Sequence, residues 1–206
     1  DGINITVPFK KSVIPFLDRL TTLAKEAQSV NTIFKKDNEV IGDNTDIGGF
    51  EHALKHINYN VKDKKVFILG GGGVVPSIII ALRKLGPAKI ILSNRTKEKA
   101  ENLKKIYSEL EIIDWGETPD FNMIINATSL GLKTTDQIKL NYADIGSNKL
   151  FYDVIYNPKK TNFLIKAKQF GNQAENGKMM FIYQAQLTFK IWHNILPKIH
   201  NKLLEK

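Results

Sequence analysis

Residues 66–69 form a short unbroken apolar run, V-F-I-L, that ends in four glycines, Gly70, Gly71, Gly72 and Gly73. Apolar residues at helical spacing follow from 74 to 85. A strand that stops in glycine and restarts as a helix has few ways to fold. The continuous apolar run suits a strand buried on both faces of a parallel sheet. Glycine permits positive φ and lets backbone N–H groups approach a pyrophosphate. The helix that follows points the positive end of its dipole at that anion, and Pro76 is tolerated near its first turn. A glycine run alone is equally well a flexible turn; the strand–glycine–helix setting makes it a dinucleotide loop of the G-x-G-G kind.

The next strand, 89–92, bears on the cofactor. An NAD site usually carries Asp or Glu about 20 residues on, to hold the ribose 2′-hydroxyl. Here the strand runs into Ser93-Asn94-Arg95-Thr96, with Lys97 and Lys99 behind. No acid stands at that tip. Arg95 can stack on adenine and pair with a 2′-phosphate, and Lys99 adds charge one turn later. Thr96 also reads as a helix N-cap, and the two readings are compatible. The expectation is NADP.

The rest of the chain extends the same alternation. Helices are expected at 98–107 and 161–170, and strands at 112–113, 123–126 and 150–155. Strand, helix, strand with buried-type strands argues an α/β fold with a parallel sheet covered on both faces. Before the glycine turn, 3–7 alternates like a strand and stops at Pro8. Residues 13–23 have helical spacing around Pro15, 30–34 is a second strand, and 37–39 a turn. Residues 46–57 place Ile47, Phe50, Ala53, Leu54 and Ile57 on one helical face. A long amphipathic helix is expected over 179–195, and a short final helix after Pro197. Trp192, Phe181 and Phe189 are expected to pack the long helix.

Composition excludes several function classes. The chain has no cysteine, so disulfides, thiolate metal sites and a cysteine nucleophile are out. No apolar run approaches the roughly 20 residues of a membrane helix. Net charge is +9, with 27 of the 30 basic residues Lys, spread along the chain. Nucleic-acid binding would show clustered Arg or stacking aromatics, so the charge suits a solvated surface and an anionic small ligand. His52 and His56 stand four apart on one helix, but no third metal ligand is evident, and packing or surface roles are favoured. Asp153 reads as a structural cap at a strand end.

The N-terminal stretch N-I-T-V-P-F-K at 4–10 puts Asn4 and Thr6 on one strand face and Lys10 at the mouth of a site. A-Q-S-V-N-T follows at 27–32 and G-D-N-T-D at 42–46. Further on come the glycines at 70–73, N-R-T at 94–96, I-I-N-A-T-S at 124–129, Y-D-V-I-Y-N-P at 152–158 and N-G-K-M-M-F-I-Y-Q-A-Q at 176–186. In this order the chain resembles the shikimate dehydrogenases along essentially its whole length.

The resemblance implies a Rossmann-type NADP-binding domain, residues 46–176. It also implies an α/β substrate-binding domain, residues 1–45 and 177–206, completed by C-terminal helices. It implies reversible reduction of 3-dehydroshikimate to shikimate with NADPH, in the cytoplasm, by a monomer or homodimer, with no nucleic-acid or membrane partner. By resemblance Lys10 and Asp46 are the catalytic pair. Asn4, Thr6, Asn31, Thr45 and Gln184 match substrate ligands, and Tyr156 and Gly177 match positions lining the cleft. Gly70, Gly72, Gly73, Asn94, Arg95, Thr96 and Lys99 match the cofactor loops, with Thr128 beside them and Gly177 grouped with the cofactor residues.

Three departures stand out. The family's first strand and its Ser-x-Ser motif are not present before Asp1, so part of the substrate domain is expected to be missing. Lys99 stands where the family has Arg, and Val74 and Val75 where it has small residues. Two alternative readings are kept: a quinate/shikimate dehydrogenase, against which the missing acid near Arg95 argues, and a non-catalytic dinucleotide-binding remnant.

Overall fold

A computed structural model of the chain describes residues 2–200 and Leu203. It divides into two compact units: residues 1–59, 76–81 and 179–206, and residues 60–75 and 82–178.

The first unit is built on a four-stranded mixed sheet of order β1-β3-β4-β2. Its strands are β1 (Gly2–Asn4), β2 (Arg19–Leu20), β3 (Thr32–Lys36) and β4 (Glu39–Asp43). β3 and β4 form a tight hairpin because Asp37 and Asn38 both adopt positive φ, as a two-residue turn of this hand requires. The segment 13–23 is not the helix its spacing suggested. Pro15 confines it to a single 3-10 turn, Ile14–Phe16. β2 then pairs with β4, and Asp18 closes the junction by accepting from the Val40 N–H at 2.7 Å. Thr21 caps the short helix α1 (Thr22–Ala27), its hydroxyl accepting from the Ala24 N–H. Ala24, Val30 and Ile33 form the buried centre beneath Leu17, Leu20 and Val40. Gly42 leaves room there, since a Cβ would press on the side-chain ends of Leu17, Leu20 and Val30 within 2.9 Å.

Two helices complete this unit. α2 (Asp46–His56) buries Ile47, Phe50, Ala53 and Leu54, the apolar stripe read from its spacing. The sequence expectation opened the second domain at residue 46, whereas α2 lies in the first unit. α7 (Lys178–His193) arrives from the far end of the chain and packs so closely that a Cβ on Gly49 would lie 2.8 Å from the Met180 carbonyl. Trp192 packs through its ring, with Nε1 donating to the Ile33 carbonyl at 3.0 Å. Phe181 and Phe189 leave 47% and 40% of their surface exposed, so the expectation that they pack the helix fails for much of each ring. The final helix expected after Pro197 falls largely on residues outside those described.

The second unit carries a six-stranded parallel sheet of order β10-β9-β8-β5-β6-β7. Its strands are β5 (Lys65–Leu69), β6 (Lys89–Ser93), β7 (Leu110–Ile112), β8 (Met123–Asn126), β9 (Leu150–Asp153) and β10 (Gln173–Asn176). Its helices are α4 (Lys97–Ile106), α5 (Tyr142–Ile145) and α6 (Asn162–Gln169); α3 (Val75–Leu85) contributes its two ends. Four of the five residues of β5 and of β6 are buried, and all four of β8 and β9, as doubly covered parallel strands must be. Phe151 centres the core, its ring 5.2–5.9 Å from those of Phe121, Tyr142 and Phe163. Burying each such ring contributes about 2–3 kcal/mol. From β5 the chain winds outward to β6 and β7, then returns to β8, β9 and β10 on the other side. The switch point therefore lies between the C-terminal ends of β5 and β8, where open α/β sheets bind ligands.

Candidate active site

In the first unit, Lys10 sits in the turn after β1, tied to the β3 entry by its carbonyl, which accepts from the Val30 N–H at 2.8 Å. Its ammonium pairs with Asp46 Oδ2, the two side chains being 13% and 8% exposed. Asp46 opens α2, where the helix dipole favours a carboxylate.

Asn31 organises what surrounds the pair. The Thr45 N–H can only donate, and it lies 2.8 Å from Asn31 Oδ1. That fixes the amide, so Nδ2 faces Thr45 Oγ1 at 2.8 Å, Asp46 Oδ1 at 3.0 Å and Gln184 Oε1 at 3.3 Å. The same Asp46 carboxylate thus takes Lys10 on one oxygen and Asn31 on the other. Asn4, exposed at the end of β1, donates to the Asn31 carbonyl at 3.2 Å. Thr6 is exposed in the following turn, where its carbonyl accepts from the Phe9 N–H. Of the residues expected at the substrate site, Lys10, Asn31, Thr45, Asp46 and Gln184 therefore form one bonded group, with Asn4 attached to it.

Buried hydroxyls that sequence reading missed complete the group. Thr188 Oγ1 lies 2.8 Å from Thr32 Oγ1 and 3.0 Å from Thr45 Oγ1, all three residues buried. Asn44, also buried, links the Ser29 carbonyl to Ser77 Oγ at 2.8 and 2.9 Å. The signal for Thr188 was its place one helical turn beyond Gln184, on the same face. His52 and His56, expected in packing or surface roles, flank Tyr183: the His52 ring is edge-on at 5.3 Å, and the Tyr183 hydroxyl lies 3.2 Å from His56 Nδ1.

In the second unit, Gly70 adopts φ +112°, and its N–H donates to the Ser93 carbonyl at 2.8 Å. A Cβ there would lie 2.7 Å from the Ala127 carbonyl oxygen. Gly72 and Gly73 are exposed ahead of α3, with open space around a Cβ on Gly73. The β6 tip is held by Asn94 Nδ2 donating to the Thr96 carbonyl at 2.7 Å. Arg95 and Lys99 are exposed, and Thr96 opens α4 without a side-chain cap. Lys97 is committed to Asp114 at 2.6 Å, which raises its pKa through that bond. Thr128 follows β8, its hydroxyl donating to Asn126 Oδ1 at 2.7 Å.

Tyr156, beyond β9, is 44% exposed. Gly177 has a packing reason of its own: a Cβ would collide with the Val154 carbonyl. Asp153 is fully buried, as a structural anchor would be, and burial pushes its pKa up to about 6 although Thr161, Ile155 and Asn126 all donate to it. These residues fit a dinucleotide: a tight glycine turn at a helix N-terminus, on the switch point, beside two exposed cations and no carboxylate on the 93–96 tip.

A switch-point glycine turn in one unit and a lysine–carboxylate pair among amides and hydroxyls in the other define a dinucleotide-dependent oxidoreductase. Comparison with known proteins narrows this. The family model for the shikimate dehydrogenase substrate binding domain matches residues 1–33, and that for shikimate / quinate 5-dehydrogenase matches residues 51–144. The NADP(+) shikimate dehydrogenase of Pelagibacter ubique is 61% identical over 203 residues, 98% of this chain and 77% of that protein. The solved shikimate dehydrogenase of Aquifex aeolicus is 38% identical, with a TM-score of 0.88 over 99% of this chain and 75% of that one. The Thermus thermophilus shikimate 5-dehydrogenase, solved with NADP(H) and shikimate, is 29% identical, with a TM-score of 0.87 over 96% and 74%. The chain belongs to the NADP-dependent shikimate dehydrogenase family.

Proposed function

We propose that the chain catalyses reversible reduction of the keto group of 3-dehydroshikimate to the hydroxyl of shikimate, with Lys10 and Asp46 handling the proton. One observation carries the residue roles: a single carboxylate, Asp46, joins the Lys10 ammonium to the Asn31, Thr45 and Gln184 group.

NADPH supplies the hydride when bound. The carbonyl oxygen then gains negative charge and needs a nearby donor. The Lys10 ammonium gives it a proton in reduction, and Lys10 takes the proton back in oxidation. Asp46 holds that ammonium in place and can accept from the neighbouring substrate hydroxyl. Asn31, Thr45 and Gln184 can each both donate and accept, which suits a polyhydroxylated acid. Asn4 and Thr6 extend the same set. Such a site rejects analogues that lack a hydroxyl, because its polar groups would be left unpaired. Tyr156 and Gly177 belong to the same reading as residues near the bound ligands.

Gly70 makes the positive-φ turn, its own N–H being bonded to the Ser93 carbonyl, and Gly72 and Gly73, lacking side chains, let the backbone approach the pyrophosphate. Arg95, Thr96 and Lys99 take the 2′-phosphate, Asn94 shapes that turn, and Thr128 lines the β8 side. A cytoplasmic setting belongs to the same proposal.

The test is reduced-nicotinamide absorbance after mixing the chain with shikimate and either NADP or NAD. The expected result is turnover with a strong preference for NADP. Binding of NADP without turnover would move the chain to the non-catalytic reading.

A further inference from the structure

A closed set of buried polar groups lies behind the loop that follows β8. Asp153, the last residue of β9, and Asn126, the last of β8, are both fully buried and directly paired in the sheet. Asp153 Oδ1 accepts from Asn126 Nδ2 and from the Ile155 N–H, each at 3.0 Å, and Oδ2 accepts from Thr161 Oγ1 at 2.6 Å. Three donors converge on its two oxygens, and a carboxylate serves all three, whereas an amide keeps an oxygen for at most two of them and turns its NH2 toward the third.

The Asn126 amide has one allowed orientation. The Thr128 N–H can only donate, and it lies 3.1 Å from Oδ1. Nδ2 therefore faces Asp153 and the Leu130 carbonyl, the latter at 2.9 Å. Thr128 Oγ1 donates to the same Oδ1 and accepts from the Leu130 N–H at 3.0 Å. Residues 127–130 are thus wound around one amide, and that amide is held by one carboxylate. The wound segment touches the glycine turn: Ala127 donates to the Leu69 carbonyl at 2.8 Å, and a Cβ on Gly70 would lie 3.1 Å from Thr128 Cγ2.

We propose that Asp153 is a positioning residue for the dinucleotide: acting through Asn126, it fixes the 127–130 segment on the β8 side of the switch point. This rests on reading the glycine turn and Arg95 as the NADP site. The sheet order divides that site, because β5 separates the β6 tip, which carries Arg95, from β8. A dinucleotide with its 2′-phosphate at Arg95 and its pyrophosphate at the glycine turn continues toward β8. Asp153 therefore governs the nicotinamide half and leaves the adenosine half alone.

The test is calorimetric titration of the full chain with NADP and with 2′,5′-ADP, which carries only the adenosine half. In Asp153→Asn the expected result is NADP binding weakened about tenfold and 2′,5′-ADP binding changed less than about twofold. Thr161→Val, which removes one donor and spares the carboxylate, should move NADP affinity in the same direction by less, and serves if Asp153→Asn fails to fold. The double variant Asp153→Asn/Thr128→Val should bind NADP no more weakly than the weaker single variant, because both act through one amide. Equal weakening of both ligands, unchanged NADP affinity, or additive losses would overturn the proposal. A native chain that binds neither ligand would overturn the NADP-site reading itself, and the proposal with it.

Discussion

Replacing Asp153 by Asn should change how stability depends on pH, and the structure fixes the sign. The Asp153 carboxyl titrates near 6 in the folded chain instead of at the ordinary 3.8, chiefly because burial penalises the charge. Between those values the folded state holds a proton that the unfolded chain has released, so stability falls as pH rises through the window. At 1.36 kcal/mol per pH unit, the gap between 3.8 and about 6 amounts to about 3 kcal/mol. Tyr142 and Tyr152 nearby are pushed upward, mainly by burial, and stay protonated throughout. The Asn variant cannot ionise and exchanges one acceptor oxygen for a donor, a penalty independent of pH. The assay is urea denaturation of both proteins at steps from about pH 3.5 to about pH 7.5. Relative to the variant, the native protein should lose about 3 kcal/mol, with the change confined to about pH 4–6 and flat on either side. For a chain this long that is roughly 6–12 °C in melting temperature. A flat difference curve would show that burial does not penalise the carboxylate. A curve rising with pH would show that its three donors outweigh the burial.

Lys10→Ala should lower turnover about 10²–10⁴-fold with a modest change in KM; surviving turnover would remove Lys10 from the proton step. Arg95→Ala should weaken NADP far more than NAD, and equal weakening in a titration would sink the 2′-phosphate assignment. Gly70→Ala forces a side chain into φ +112° and against the Ala127 carbonyl. It should lose at least about 2 kcal/mol of stability, and a variant denaturing like the native chain would contradict that geometry. Thr188→Val removes one buried partner from the Thr32 and Thr45 hydroxyls, which keep Asn31, and should cost about 0.5–1.5 kcal/mol, with Thr188→Ser recovering most of it; a Ser variant as unstable as Val would point to the methyl group instead.

What the sequence disclosed followed the range of the interactions. The β5–glycine–α3 unit was legible because an unbroken apolar run, a glycine turn and a helical stripe are all local signals. α2 was legible for the same reason. β2 was not, because Arg19 and Leu20 become a strand only by pairing with Ile41 and Gly42. β10 is Q-A-E-N, a polar edge strand with no periodic signature, made by its partner β9. In the site, Lys10 and Asp46 stand 36 residues apart, and Asn31 and Gln184 stand 153 apart. No spacing rule joins such residues; the family resemblance did. Thr32 and Thr188 went unread because a buried Thr in an apolar stretch looks like packing until its partner is seen.

The late arrival of α7 has a consequence for the order of assembly. Thr32 and Thr45 are 13 residues apart, whereas Thr32 and Thr188 are 156 apart. Closing the longer loop costs about 2 kcal/mol more in chain entropy than closing the shorter. Contacts of that range form slowly. During synthesis residues 60–178 emerge before Gln184 and Thr188 exist, so the parallel sheet has all its strands while Asn31 has Thr45 and Asp46 but still lacks Gln184. The surroundings of Lys10 are therefore the last part of the molecule to be completed, and a chain interrupted before α7 keeps its sheet strands and the Lys10–Asp46 pair but lacks Gln184 and Thr188 beside it.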